Sequence, residues 1–153
     1  MTQLELIINQ TSVTLDVDPA TSLLDVLRNE VGLASPRFGC GKEQCGACCV
    51  KIDNKLVYAC THSMAEAAGQ SITTVEGLGT PENPHPLQQA VMDLNAGQCG
   101  FCLSGILVTA SKLLDENPAP SRSDVMTALD DHLCRCGAHN RIIDAILRAA
   151  DKR

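Results

Sequence analysis

The chain has 153 residues and a formal net charge of -6, with 18 acidic side chains against 12 basic ones, a length that fits one compact domain or two small ones sharing an interface. The acidic balance and an aromatic content of 2%, carried by Phe38, Tyr58 and Phe101 without any Trp, argue against phosphate binding and base stacking, so nucleic acid is not an expected partner. The longest apolar stretches, such as residues 105–110, fall far short of the roughly 20 residues that cross a bilayer. The opening MTQLELIINQ has neither a basic start nor an apolar core, so the expectation is a soluble, cytoplasmic chain with no export signal of its own, with export alongside a partner left open.

Leu4, Leu6 and Ile8 alternate with polar or thinner positions, Asn9-Gln10 supplies turn chemistry, and Val13, Leu15 and Val17 alternate again, which predicts an opening β-hairpin. After Pro19, Ser22-x-x-Asp25 is an N-cap signal for a helix bearing Leu23, Leu24, Leu27 and Val31 and stopped by Gly32. Residues 33–48 have no period but contain Gly39, Gly41 and Gly46, the pattern of a loop whose backbone wraps closely around something. Strands are expected at 50–52 and 56–58 about an Asp53-Asn54 turn, and again at 71–75.

Residues 77–86 hold three prolines and two glycines, a linker composition, and the sequence turns helical beyond them. Leu87, Val91 and Leu94 mark one helical face, and Ile106, Leu107, Ala110, Leu113 and Leu114 a second, stopped by Asn117-Pro118. Val125, Ala128, Leu129 and Leu133 mark a third, and Ile142, Ile143, Ile146 and Leu147 a fourth. The expected organisation is α+β over residues 1–78, a linker at 79–86, and a four-helix bundle over 87–153.

Nine cysteines without a signal peptide point to metal or redox chemistry, because a reducing compartment keeps ordinary disulfides open. Cys40-x4-Cys45-x2-Cys48 with a distant Cys60 is the plant-type 2Fe-2S spacing. Inorganic sulfides of such a cluster accept backbone N–H bonds, which gives Gly39, Gly41 and Gly46 a reason to be present. The second set, Cys99-x2-Cys102 and Cys134-x-Cys136, lies in the breaks between helices, where two loops at one end of a bundle can converge. Its spacing suits a second iron–sulfur cluster and also a four-thiolate zinc, although Cys-x-Cys is tight for one tetrahedral ion. Both halves are short enough to need a cross-link, so purely structural zinc in an interaction module stays an alternative.

Cys49 is left over. Next to Cys48 on a strand, its side chain should face the opposite way and act as a small buried thiol. His62, His85, His132 and His139 form no H-x3-H pair, and neither a nucleophile elbow nor a P-loop occurs, so no residue is assigned a catalytic role. His85 is expected to be structural or solvated, and His139 to cap a helix.

Residues 36–48 (PRFGCGKEQCGAC), 74–78 (TVEGL), 85–90 (HPLQQA), 98–102 (QCGFC) and 133–137 (LCRCG) together resemble the small iron–sulfur subunit of molybdenum hydroxylases, the xanthine oxidase family, in the same order over nearly the whole chain. The resemblance implies a β-grasp, plant-type ferredoxin domain followed by an all-α 2Fe-2S domain, with two 2Fe-2S clusters held by Cys40, Cys45, Cys48, Cys60 and by Cys99, Cys102, Cys134, Cys136. It further implies a large partner subunit carrying molybdenum and molybdopterin cytosine dinucleotide, with Gln98 and Cys136 near the pterin. Electrons would leave the partner through the helical domain and then the ferredoxin-like one, and a free two-cluster ferredoxin serving several partners stays an alternative. The residues Cys136-Gly137-Ala138-His139 are similar to the C-R-C-G-T-H branch of isoquinoline 1-oxidoreductase, nicotinate dehydrogenase and aldehyde dehydrogenase small subunits, which implies an acceptor that is a cytochrome c or a flavin subunit, the former more common in that branch, and an N-heteroaromatic substrate, with an aldehyde next.

Overall fold

The structure is a computed structural model that describes residues 1–152; Arg153, the last residue of the expected helical domain, lies outside the described residues. Strands β1 (Thr2–Ile8) and β2 (Thr11–Val17) pair antiparallel from Thr2 with Val17 to Ile8 with Thr11. The two residues between them, Asn9 and Gln10, have φ of 48° and 69°, and the pair of positive values is what a tight type I′ hairpin demands. The same device joins β3 (Cys49–Ile52) to β4 (Lys55–Tyr58), with Asp53 and Asn54 at 45° and 65°. Strand β5 (Ser71–Thr73) completes a sheet of order β2-β1-β5-β3-β4, parallel only where β1 meets β5.

Helix α1 (Leu23–Asn29) starts as expected, the Ser22 hydroxyl accepting the Asp25 N–H at 3.1 Å. Its Leu23, Leu24, Val26 and Leu27 are buried with Leu6, Ile8, Val50, Ile52 and Ile72 in one core, each large side chain contributing about 1.5–3 kcal/mol by leaving water. This is the β-grasp arrangement. A short helix α2 (Met64–Ala67), unforeseen in the sequence, closes the core with a fully buried Met64, and its N-terminus carries a Ser63–Glu66 capping box.

Strand β5 stops at Thr73 rather than residue 75 because Asn9 captures the next residue: its Oδ1 accepts the Thr74 N–H at 2.9 Å and its Nδ2 donates to the Thr74 hydroxyl at 3.0 Å. The chain then makes a 3-10 turn over Val75–Gly77, and Val75 and Leu78 pack onto the second core instead of the first.

That second core lies among α3 (Pro86–Asp93), α4 (Leu103–Glu116), α5 (Arg122–Ala128) and α6 (His139–Ala150), with Leu87, Ile106, Leu114, Val125, Ile142 and Ile146 fully buried. His85 has the structural role expected of it: its Nδ1 accepts the Leu87 N–H at 3.2 Å and caps α3. Helix α5 ends at Ala128, so Leu133 is not on its apolar face and is 64% exposed; its N–H is committed to the Cys45 carbonyl of the other half.

Helix α4 serves both halves. Ile106, Ala110 and Leu114 enter the helical core, while Gly105 lies so close to the Gly46 carbonyl that a Cβ there would sit 1.9 Å from its oxygen. On the same side Ser104 donates to the Ala47 carbonyl at 3.3 Å, and Lys51 of β3 pairs with Asp115 at 3.6 Å. Among the described residues no helix is long and apolar enough to cross a membrane.

Candidate metal centres

Three thiols of the first set, Cys40, Cys45 and Cys48, sit in a loop braced from three directions, and the fourth, Cys60, follows the end of β4. Arg28 donates to the carbonyls of Ala34 and Pro36 at 3.1 and 2.7 Å, the Glu76 carboxylate accepts the Ser35 N–H at 2.9 Å, and the Arg37 N–H reaches the Ala47 carbonyl at 3.1 Å. Part of Glu76 is buried, which opposes ionisation, but hydrogen bonds from Ser35 and Thr74 outweigh this and hold the carboxyl below its usual range.

Within the loop the N–H groups of Lys42 and Gln44 both point at Cys40 Sγ, each at 3.3 Å. Those N–H bonds, Gln44's foremost, bring the Cys40 thiol down to about 7, so it is partly thiolate at neutral pH. Burial pushes Cys48 the other way, to about 12. Gly39 leaves room for a neighbouring thiol, since a Cβ there would lie 2.7 Å from Cys45 Sγ. Gly46 also serves the join of the two halves: its φ is +72°, and a Cβ would fall 2.1 Å from Nδ1 of His132, so this glycine admits the other half of the molecule.

The second set lies where two helices begin. Cys102 is the N-cap of α4, and Ala138, the N-cap of α6, donates its N–H to Cys134 Sγ at 3.4 Å, so the positive ends of two helices face a group of thiols. Cys99 is held below the usual thiol range, first by the Phe101 N–H and then by Cys136. Burial opposes the ionisation of Cys134, but the Ala138 N–H and further hydrogen bonds leave it lowered, while burial drives Cys102 up to about 12. Cys99, Phe101, Cys102, Leu133, Cys134, Arg135 and His139 line an open hollow of about 650 Å³. His139 is not a cap: it occupies the first position of α6, and its Nε2–H donates to the His132 carbonyl at 2.8 Å.

In both sites the thiols meet in pairs. Cys40 is in hydrogen-bond reach of Cys45, and Cys48 of Cys60; Cys99 is in reach of Cys136, and Cys102 of Cys134. Among the described residues no three His, Cys, Asp or Glu side chains are arranged around a single metal ion. Two pairs per site, with backbone N–H groups aimed at sulfur, fit a binuclear cluster with two thiolates on each iron. Gln98 is exposed and donates from Nε2 to the Cys136 carbonyl at 3.3 Å.

The two sites touch. The Leu133 N–H donates to the Cys45 carbonyl at 3.1 Å, linking the residue before Cys134 to a residue of the first set, and the Arg37 guanidinium lies 5.7 Å from the centre of the Phe101 ring. Beneath this contact His132, 4% exposed, places Nε2 2.8 Å from the Thr109 hydroxyl, which is 3.6 Å from Cys49 Sγ. Burial holds the His132 imidazole down at about 4, neutral at physiological pH, and burial lifts the Cys49 thiol to about 11. Cys49 is the small buried thiol that the sequence suggests, whereas His132 carries no sequence signal beyond being a histidine.

Comparison with known proteins agrees with this geometry. A 2Fe-2S iron-sulfur cluster binding domain model matches residues 6–74, and a [2Fe-2S] binding domain model matches residues 74–147. The chain is 45% identical over 152 residues to one of the nicotinate dehydrogenase subunits of Pseudomonas putida, covering 99% of this chain and 97% of that one. The solved aldehyde oxidoreductase from Desulfovibrio desulfuricans superimposes with a TM-score of 0.95 at 45% identity, over 99% of this chain but 17% of that longer one. Quinoline 2-oxidoreductase from Pseudomonas putida gives a TM-score of 0.93 at 39% identity, over 98% of this chain and 94% of the matched one. The chain belongs to the small 2Fe-2S subunits of the molybdenum hydroxylases, the xanthine oxidase family of oxidoreductases.

Proposed function

We propose that this chain is the electron conduit of its enzyme, taking electrons from a molybdenum–molybdopterin cytosine dinucleotide centre in a large partner protein and passing them to an external acceptor, cytochrome c-like or flavin. In this reading residues 1–78 are the ferredoxin-like domain, 79–86 the linker and 87–153 the helical domain. Cys99, Cys102, Cys134 and Cys136 hold the entry cluster, and Cys40, Cys45, Cys48 and Cys60 hold the exit cluster. When bound, the clusters supply one-electron carriers, which the side chains of this chain do not provide themselves.

The chain's own residues do the rest. Paired thiols and the N–H groups of Lys42, Gln44 and Ala138 stabilise negative charge on sulfur. Gln98 donates to the carbonyl of Cys136, a member of the second set of thiols, and there we assign the contact with the partner's pterin. The observation that carries the proposal is the Cys45–Leu133 hydrogen bond, which makes two thiol sites from opposite halves of the sequence into neighbours through one N–H and one carbonyl. The names of two relatives, nicotinate dehydrogenase and quinoline 2-oxidoreductase, support an N-heteroaromatic substrate for the holoenzyme; the equally similar aldehyde oxidoreductase supports an aldehyde as the second choice.

The test is Cys45→Ser in the holoenzyme. The exit cluster should be lost, and turnover with the external acceptor should collapse while substrate still reduces the centre of the large partner. Normal steady-state turnover in a variant shown to lack that cluster would overturn the order.

A further inference from the structure

The polar contacts buried between the two halves are not explained by holding thiols. His132 is buried where the two halves meet. One edge of its ring is pressed on Gly46, next to Cys45, at a distance that leaves no room for a Cβ. Nε2 meets Thr109 of α4 at 2.8 Å, and Nδ1 has no hydrogen-bond partner. A buried N–H without an acceptor costs more than a buried lone pair without a donor, so the proton belongs on Nε2, donating to the Thr109 oxygen. The Thr109 hydroxyl is then free to donate to Cys49 Sγ, 3.6 Å away on β3. The peptide that follows the ring is tied at both of its polar groups: its carbonyl, that of His132, accepts from His139 at 2.8 Å, and its N–H, that of Leu133, donates to Cys45 at 3.1 Å.

We propose that His132 is a positioning residue for electron passage between the two sites, a spacer wedged between Gly46 and Thr109 that keeps the Leu133 N–H on the Cys45 carbonyl and keeps water out of the gap. An apolar side chain of similar size would fill the space but would not be anchored to α4, and a small one would admit water between the loops. Electron passage depends on the separation and contact of the two sites, so a register set by one ring governs the rate without any part in holding iron. The proposal rests on the reading that both sites carry 2Fe-2S clusters.

The experiment compares His132→Ala, His132→Gln and Thr109→Val with wild type in the holoenzyme. Iron is counted first, then the magnetic interaction between the two clusters is measured by EPR in the dithionite-reduced state. A wild type without two clusters would remove the underlying reading and is seen before any variant is compared. Given two clusters, His132→Ala should keep its iron but lose or shift the intercluster splitting. His132→Gln, which can still donate to Thr109, should restore it. Thr109→Val, which leaves the ring in place without its anchor, should shift the splitting in the same direction as His132→Ala, and it decides the matter if the alanine variant loses iron or fails to fold. Wild-type splitting in iron-replete His132→Ala, or in Thr109→Val should the alanine variant fail, would overturn the proposal.

Discussion

At the first thiol site the loop over residues 33–48 is tied down by Arg28, Glu76 and the Arg37–Ala47 hydrogen bond, and Cys48 is buried beneath it; at the second, Cys99 is exposed at the mouth of a hollow whose walls include Phe101 and Leu133, 42% and 64% exposed. Both places gather two pairs of thiols with N–H groups aimed at sulfur, yet one is supported by its own domain and the other is open on one side. The difference teaches where this chain ends functionally: the first site has its support within the chain, while the second has an apolar rim that water should not wet.

The largest expected effect follows from removing the partner. Expressed alone, the chain should lose the second cluster and aggregate through Phe101 and Leu133, Leu103 being packed against the helical core, while the first keeps plant-type absorbance; in the complex the covered interface should be obligate, above about 2,000 Å². Cluster content, oxygen sensitivity and oligomeric state with and without the large partner check this. An air-stable, monodisperse two-cluster monomer would erase the contrast and favour a free two-cluster ferredoxin.

A smaller effect isolates the brace of the first loop. Glu76 has its carboxyl lowered in the folded chain, so its contribution to stability is complete above the ordinary glutamate value of about 4.3 and is lost as pH falls through the folded value. Thermal melts of wild type and Glu76→Gln should therefore differ at pH 6 to 7 and converge in acid, with Glu76→Gln the less stable; the carboxylate's exposure keeps the difference small. A gap that widens on acidification would contradict the assigned role.

The smallest effect is expected at Cys49. Cys49→Ala should retain both clusters and most activity at a cost of about 1 kcal/mol, read from denaturant unfolding, because the thiol fills space against α4 rather than joining either set of pairs. Loss of the first cluster's signal would mean that the four thiols are wrongly chosen.

Local chemistry was readable in the sequence where one short stretch decides the outcome. The hairpins at Asn9-Gln10 and Asp53-Asn54 and the Ser22 cap follow from residues that tolerate positive φ or accept an N–H. The α2 helix could have been found, because Ser63-x-x-Glu66 is a capping box, but its four-residue length leaves no periodicity to notice. Strand β5 was read two residues too long because Asn9, 65 positions away, captures Thr74. The fit between the halves was hidden for the same reason. Gly46 with His132, Gly105 with Gly46, and Cys49 with Thr109 meet only after both halves fold, so the fit of Gly46 to His132 has no signal in the sequence.

The central claim is that both thiol sites carry 2Fe-2S clusters, and metal and sulfide analysis of the purified holoenzyme, combined with EPR, tests it most directly. The account predicts about four irons and about four acid-labile sulfides on this chain and, on reduction, two distinguishable S = 1/2 signals, since the two sites differ in fold and in burial, with Cys99 exposed at the second. About two irons, or zinc at stoichiometric level, would contradict it.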